Sequence, residues 1–134
     1  MGRAVVIVLD THTWLWWLAE PARLSRAARR AIDEAETIGV CTISAWELTM
    51  LVRRRRISLD RDIGAWVRQA LAPARVRQHP LTADVAVAAG LLDGGGFPGD
   101  PADRFIYATA QAVRARLVTR DEAIRGYDAR TTVW

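Results

Sequence analysis

Short runs of strand length, the first of them wholly apolar, alternate along this chain with longer stretches in which apolar residues return every three or four positions. Residues 4–9 are continuous, rich in β-branched side chains and of strand length, which predicts a central parallel strand covered on both faces. Residues 37–42, 76–79, 117–119 and 131–134 read as further strands. Helical periodicity fills the intervals. One helix runs from Thr11 or His12 to Ala19 and is broken by Pro21, and the next is capped by Ser25 and buries Ala28, Ile32 and Ala35 before ending near Glu36. A third opens at Ser44 and ends near Arg55; a fourth is capped by Asp60 and carries Ile63, Trp66, Val67 and Leu71 towards Pro73. Residues 82–92 form another. Asp100-Pro101, a cap followed by proline at the first helical position, opens a helix to about Arg116 that buries Phe105, Ile106, Thr109 and Val113. A last helical turn spans residues 122–125. Regular alternation of strand and helix predicts a single α/β domain over residues 1–134, a three-layer α/β/α sandwich with a central parallel sheet and right-handed crossovers.

Length and composition agree with one compact domain: 134 residues, 51% hydrophobic, with no repeats or low-complexity tails. No apolar stretch approaches the roughly 18 residues that cross a bilayer. The first apolar run is too short for a signal-peptide core and lacks a small-residue cleavage site, so the expected location is the cytoplasm. A single cysteine, Cys41, excludes an internal disulfide and fits buried packing in a reducing compartment. The net charge is +4, and every basic residue is arginine. The absence of lysine excludes a P-loop, a Schiff-base enzyme and a lysine-assisted phosphoaspartate enzyme.

The acidic residues change the picture. Asp10 closes the first apolar run and Asp121 follows the short run at residues 117–119, while Glu47 and Asp103 fall in the first turns of two predicted helices. An open parallel sheet binds ligands outside the carboxyl ends of its strands, where helix N-termini also point. All four carboxylates are therefore expected to face one crevice. Two unit charges about 5 Å apart repel by about 3 kcal/mol at an effective dielectric near 20, and a bound divalent cation relieves that repulsion. Each residue also has a plain structural reading. Asp10 and Asp121 suit helix N-caps, Glu47 completes a capping box with Ser44, and Asp103 complements the helix dipole behind an Asp100 cap. Four such roles at once leave a dense acidic pocket without purpose, so the combination favours a Mg²⁺ or Mn²⁺ site. These hard ions prefer oxygen ligands, activate water and stabilise charge at a phosphodiester. His12, His79 and Cys41 lack zinc-ligand spacing, and no G-x-S-x-G elbow is present. A net positive chain around an acidic pocket suits a polyanionic substrate held by arginine.

With those residues in hand, the chain resembles PIN domains, specifically the VapC-type toxins of bacterial toxin–antitoxin pairs. The resemblance rests on Leu9-Asp10-Thr11-His12, Ile43-Ser44-Ala45-Trp46-Glu47-Leu48, Asp100-Pro101-Ala102-Asp103-Arg104 and Val118-Thr119-Arg120-Asp121, in that order across the whole chain. It implies a Mg²⁺- or Mn²⁺-dependent endoribonuclease, homodimeric and silenced by a small cognate antitoxin. It maps the acidic quartet onto Asp10, Glu47, Asp103 and Asp121, with Thr119 as a polar helper and Asp100 in a supporting role. Arg104 and Arg120, beside these acids, are candidates for touching the RNA backbone. The run Arg53-Arg54-Arg55-Arg56 reads either as a solvated helix end or as a phosphate track. Trp14 and Trp17, one helical turn apart, suggest a groove for an antitoxin segment or a dimer contact. The glycine-rich residues 93–99 are expected to form a surface loop near the pocket. A haloacid-dehalogenase-type phosphatase shares the start Asp10-Thr11-His12-Thr13 but needs a second aspartate at position 12 and a lysine. The remaining alternative is a non-catalytic RNA-binding module of the same fold.

Overall fold

A computed structural model of the protein describes residues 5–92, 96, 97 and 99–134. Among these residues five strands, β1 (Val6–Leu9), β2 (Thr37–Cys41), β3 (Val76–His79), β4 (Arg116–Val118) and β5 (Thr132–Val133), form one sheet in the order β3-β2-β1-β4-β5. Every pairing is parallel, and Val8 at the centre of β1 lies opposite Gly39 on one side and Leu117 on the other. Among the described residues, seven α-helices join the strands: α1 (Thr11–Ala19), α2 (Arg26–Glu34), α3 (Thr42–Arg53), α4 (Ile63–Ala70), α5 (Ala83–Gly90), α6 (Pro101–Ala112) and α7 (Glu122–Tyr127).

Side chains leave a strand alternately to its two faces, and this divides the core. Ile7, Leu9, Ile38 and Val40 pack on one face with Trp14 and Leu15 of α1, Ala28 and Ile32 of α2, and Trp66 of α4. Val8, Cys41 and Leu117 pack on the other with Ile106, Tyr107 and Ala110 of α6 and Ile124 of α7. The result is the expected α/β/α sandwich. Gly39 has a packing reason: a Cβ there would lie 2.8 Å from the His79 ring and 3.1 Å from the Ile7 carbonyl.

Several local expectations change. β2 runs directly into α3 at Thr42, two residues before Ser44, and the cap residue Cys41 makes no side-chain cap bond. Ser44 therefore does not cap; it is buried in the first turn with its Oγ 2.9 Å from Thr11 Oγ1. Glu47 moves to the second turn, so no capping box forms. Asp60 pairs with exposed Arg61 rather than capping α4, whose cap is Asp62, accepting from the amides of Gly64 and Ala65. α6 ends at Ala112, four residues short of Arg116, which leaves Val113 at its C-cap and 37% exposed. Trp14 lines no groove: it is completely buried and packs edge-on against Trp66. The expected loop at residues 93–99 falls partly outside the described residues, and of its described members Phe97 is buried against Tyr107 and Tyr127.

Candidate active site

The carboxyl ends of β1, β2 and β4 open together into a cleft of about 520 Å³. Its wall includes Asp10, Glu47, Asp100, Asp103 and Asp121, together with Thr11, His12, Trp16, Arg120, Glu122, Arg125 and Trp134. All four quartet residues are thus brought together, and Asp100 joins them. Asp10 follows β1 and is buried; its Oδ1 accepts from the Thr13 amide at 2.8 Å as the α1 cap, and its Oδ2 accepts from the Thr119 hydroxyl. The capping and site readings of Asp10 are therefore compatible, because each oxygen has its own task. Thr119, fully buried after β4, also accepts from the Asp121 amide at 3.1 Å, and Asp121 Oδ1 caps α7 by accepting from Ile124 at 2.9 Å. One threonine hydroxyl thereby fixes two of the acids. On the opposite side the Thr11 hydroxyl donates to Glu47 Oε1. Asp100 caps α6 through the Ala102 amide at 2.9 Å, and Asp103 stands one turn further on.

Electrostatics reflect the crowding. Burial, then the neighbouring charges of Asp100, Glu47, Asp121 and Asp10, push Asp103 up to about 7. Burial also raises Glu47, against the lowering bond from Thr11, and burial raises Asp10 despite the bond from Thr119. Glu47, Asp100 and Asp103 can each place one carboxylate oxygen so that all three lie within 4.8 Å of one another. Octahedral oxygens about 2.1 Å from Mg²⁺ are roughly 3 Å apart when adjacent and about 4.2 Å apart when opposite. The donor set therefore fits a hard divalent cation after a small inward movement of these side chains.

The two arginines separate. Arg120 lines the cleft with its guanidinium 5.7 Å from the Trp16 ring centre. Arg104 does not line it; Nη1 donates to the carbonyls of Ala89 and Leu92 at 3.0 and 3.3 Å, and the guanidinium covers Phe97. Arg104 ties α6 to the end of α5. Arg53, Arg54, Arg55 and Arg56 are exposed, and Arg56 lines a larger cleft of about 730 Å³ between α1 and the segment after α3. His12 and Trp16 border both clefts. Sequence reasoning missed Arg125 and Trp134 as cleft residues and Thr11 as the partner of Glu47. Only the adjacency of Thr11 to Asp10 offered a signal for any of them.

Residues 7–129 match the PIN domain, and the chain belongs to that family. At the level of individual proteins, it is 43% identical to Ribonuclease VapC22 of Mycobacterium tuberculosis over 130 residues, 96% of this chain and 98% of that one. Among solved structures the fold is similar to VapC20 of M. tuberculosis, described as a Sarcin-Ricin loop cleaving toxin, with TM-score 0.68, 17% identity and coverage of 91% and 95% of the two chains. It is equally similar to VapBC2 of Rickettsia felis bound to a promoter DNA fragment, with TM-score 0.68, 16% identity and coverage of 96% and 97%.

Proposed function

We propose that this chain is a divalent-metal-dependent endoribonuclease that acts as the toxin of a toxin–antitoxin pair. The observation that carries the reading is the convergence of Asp10, Glu47, Asp100, Asp103 and Asp121, from separate parts of the chain, on one cleft. Membership of the PIN family and 43% identity to a ribonuclease over nearly the whole chain support the activity. A Mg²⁺ or Mn²⁺ ion bound there supplies an activated water and charge stabilisation at the phosphodiester. Glu47, Asp100 and Asp103 are the residues to hold it, with Asp10 and Asp121 adding negative potential nearby.

The chain's own residues do the rest. Thr119 and the Thr13 amide hold Asp10 in one rotamer, so its carboxylate needs no reorganisation when substrate arrives. Thr11 does the same for Glu47. Arg120 and Arg125 offer fork-shaped donors to the substrate's phosphates on the wall beside the acids. The 730 Å³ cleft, joined to the acidic one through His12 and Trp16, is a seat of suitable size for an antitoxin segment. Val87 on α5 and Leu91 at its C-cap, 61% and 79% exposed and one turn apart, suit contact with a second copy. Among the described residues no helix is long and apolar enough to cross a membrane.

Cleavage of RNA by the purified protein with Mg²⁺ or Mn²⁺, with and without EDTA, tests the activity. Loss of cleavage in EDTA and in Asp10→Asn and Asp103→Asn is the expected result. Cleavage that survives EDTA or both substitutions would exclude metal catalysis through these acids.

A further inference from the structure

Beside the acidic cluster, the lining of the cleft includes a cationic and aromatic group, Arg120, Arg125, Trp16 and Trp134, with Glu122 as the one further carboxylate among the described lining residues. Val133 pairs with Val118 in the sheet and its carbonyl accepts from the Thr119 amide at 3.1 Å. Trp134 therefore leaves β5 level with Thr119, the residue that fixes Asp10 and Asp121. Its ring leans on Trp16 with centroids 5.9 Å apart and planes inclined at 58°. Trp16 is only 6% exposed and has Arg120 over it, so it backs the wall and is closed to a ligand. Trp134 is half-buried and borders two spaces: the acidic cleft and an adjoining cleft of about 500 Å³. Arg125 borders both as well. Its Nη2 donates to the Arg120 carbonyl at 3.2 Å, whereas its Nε is buried with no hydrogen-bond partner among the described residues. The Nε is closed to solvent, so a phosphate oxygen can meet Arg125 only through the part of the side chain that lines the clefts, where an arginine fork suits a phosphate.

We propose that Trp134 is the shelf on which the base next to the scissile phosphate stacks, with Arg125 holding the phosphate that follows it out of the acidic cleft. The inference rests on the ribonuclease reading above and adds a substrate-positioning residue to it. The geometry favours single-stranded RNA at this step, because a base paired in a duplex cannot offer its face to a ring. Stacking of this kind tolerates any base, so Trp134 sets position along the strand rather than sequence.

The test scans a short single-stranded RNA with one abasic nucleotide at successive positions around its cleavage site and measures kcat/KM. One position should cost the wild type roughly tenfold, the value of a single base stack. Trp134→Leu, which keeps apolar bulk against Trp16, should show that loss with intact RNA and suffer no further loss from the abasic substitution at that position. Trp134→Phe should restore most of the activity and the abasic penalty. A Trp134→Leu enzyme that cleaves intact RNA like the wild type, or that still shows the full abasic penalty, overturns the shelf. If the wild type cleaves none of these RNAs with either metal, the ribonuclease reading fails separately. The shelf is then judged by fluorescence: an oligouridylate should quench the wild type more than Trp134→Phe, and equal quenching overturns it.

Discussion

Replacing Asp103 with asparagine should stabilise the metal-free fold while abolishing RNA cleavage. Burial and four neighbouring acids raise the Asp103 carboxyl from an ordinary 3.8 to about 7. The unfolded chain releases this proton near 3.8, and the native state holds it until about 7. Between those values the native state binds more protons, so stability falls as pH rises through that window and levels off above it. Three units at about 1.4 kcal/mol each set a ceiling near 4 kcal/mol. The side chain is only half-buried, so solvent screening reduces the expected penalty to about 2 kcal/mol. Asparagine keeps the shape and removes the charge. In EDTA at pH 8 the variant should melt roughly 6–8 °C above the wild type, with the gap closing towards pH 4. Added Mn²⁺ should reverse the order, because the ion stabilises only the chain that binds it. Calorimetric melts at pH 4, 6 and 8, with EDTA and with Mn²⁺, check both limbs. A variant that melts below the wild type in EDTA at pH 8 would refute the reasoning, since it would mean that Asp103 is held by favourable contacts rather than strained by its neighbours.

Thr119→Val removes the hydroxyl shared by Asp10 and the Asp121 amide, leaving Asp10 Oδ2 and that amide without this partner; urea denaturation should show a loss of about 1–3 kcal/mol, with RNA cleavage reduced at least as strongly. Arg104→Ala should lower the melting temperature by untying the end of α5 while leaving the salt dependence of RNA binding unchanged. Arg120→Ala should do the opposite, reducing that salt slope by about 0.7 for one lost phosphate contact on a single strand, as read by fluorescence anisotropy across a salt series. Arg55→Gly should stabilise the protein by about 0.5–1 kcal/mol in urea denaturation, because Arg55 sits at φ 56° where a Cβ is disfavoured.

That last site explains part of what the sequence concealed. Both α3 and α6 end with a left-handed arginine, Arg55 at φ 56° and Arg114 at φ 54°. In each, the next amide reaches back to close the final turn, Arg56 to Leu51 and Ala115 to Ala110. Glycine, the usual stop signal, stands at neither place, so the periodic pattern alone extends both helices. The start of α3 was hidden in the same way: the strand turns into the helix at Cys41 without a side-chain cap, whereas Ser44 resembles one. The centre of the sheet is plain because β1 is a continuous apolar run and β2 and β4 carry short apolar stretches, and Asp10 and Asp121 are plain because each stands just past such a stretch. Asp100 reads in the sequence first as a helix cap, yet capping and cluster membership are compatible because the oxygens of one carboxylate serve different partners. Trp134 gave no signal, since only the pairing of β5 with β4 brings it beside Thr119; Arg125 stands one turn past the Asp121 cap on α7, and nothing in the periodicity of so short a helix says that it faces the cleft.

Anomalous diffraction from a crystal soaked in Mn²⁺ tests the central claim most directly. The account predicts a peak among Glu47, Asp100 and Asp103 with carboxylate oxygens about 2.1–2.2 Å away, and loss of that peak in Asp103→Asn. A peak elsewhere on the molecule, or none in crystals whose cleft is open to solvent, would contradict it.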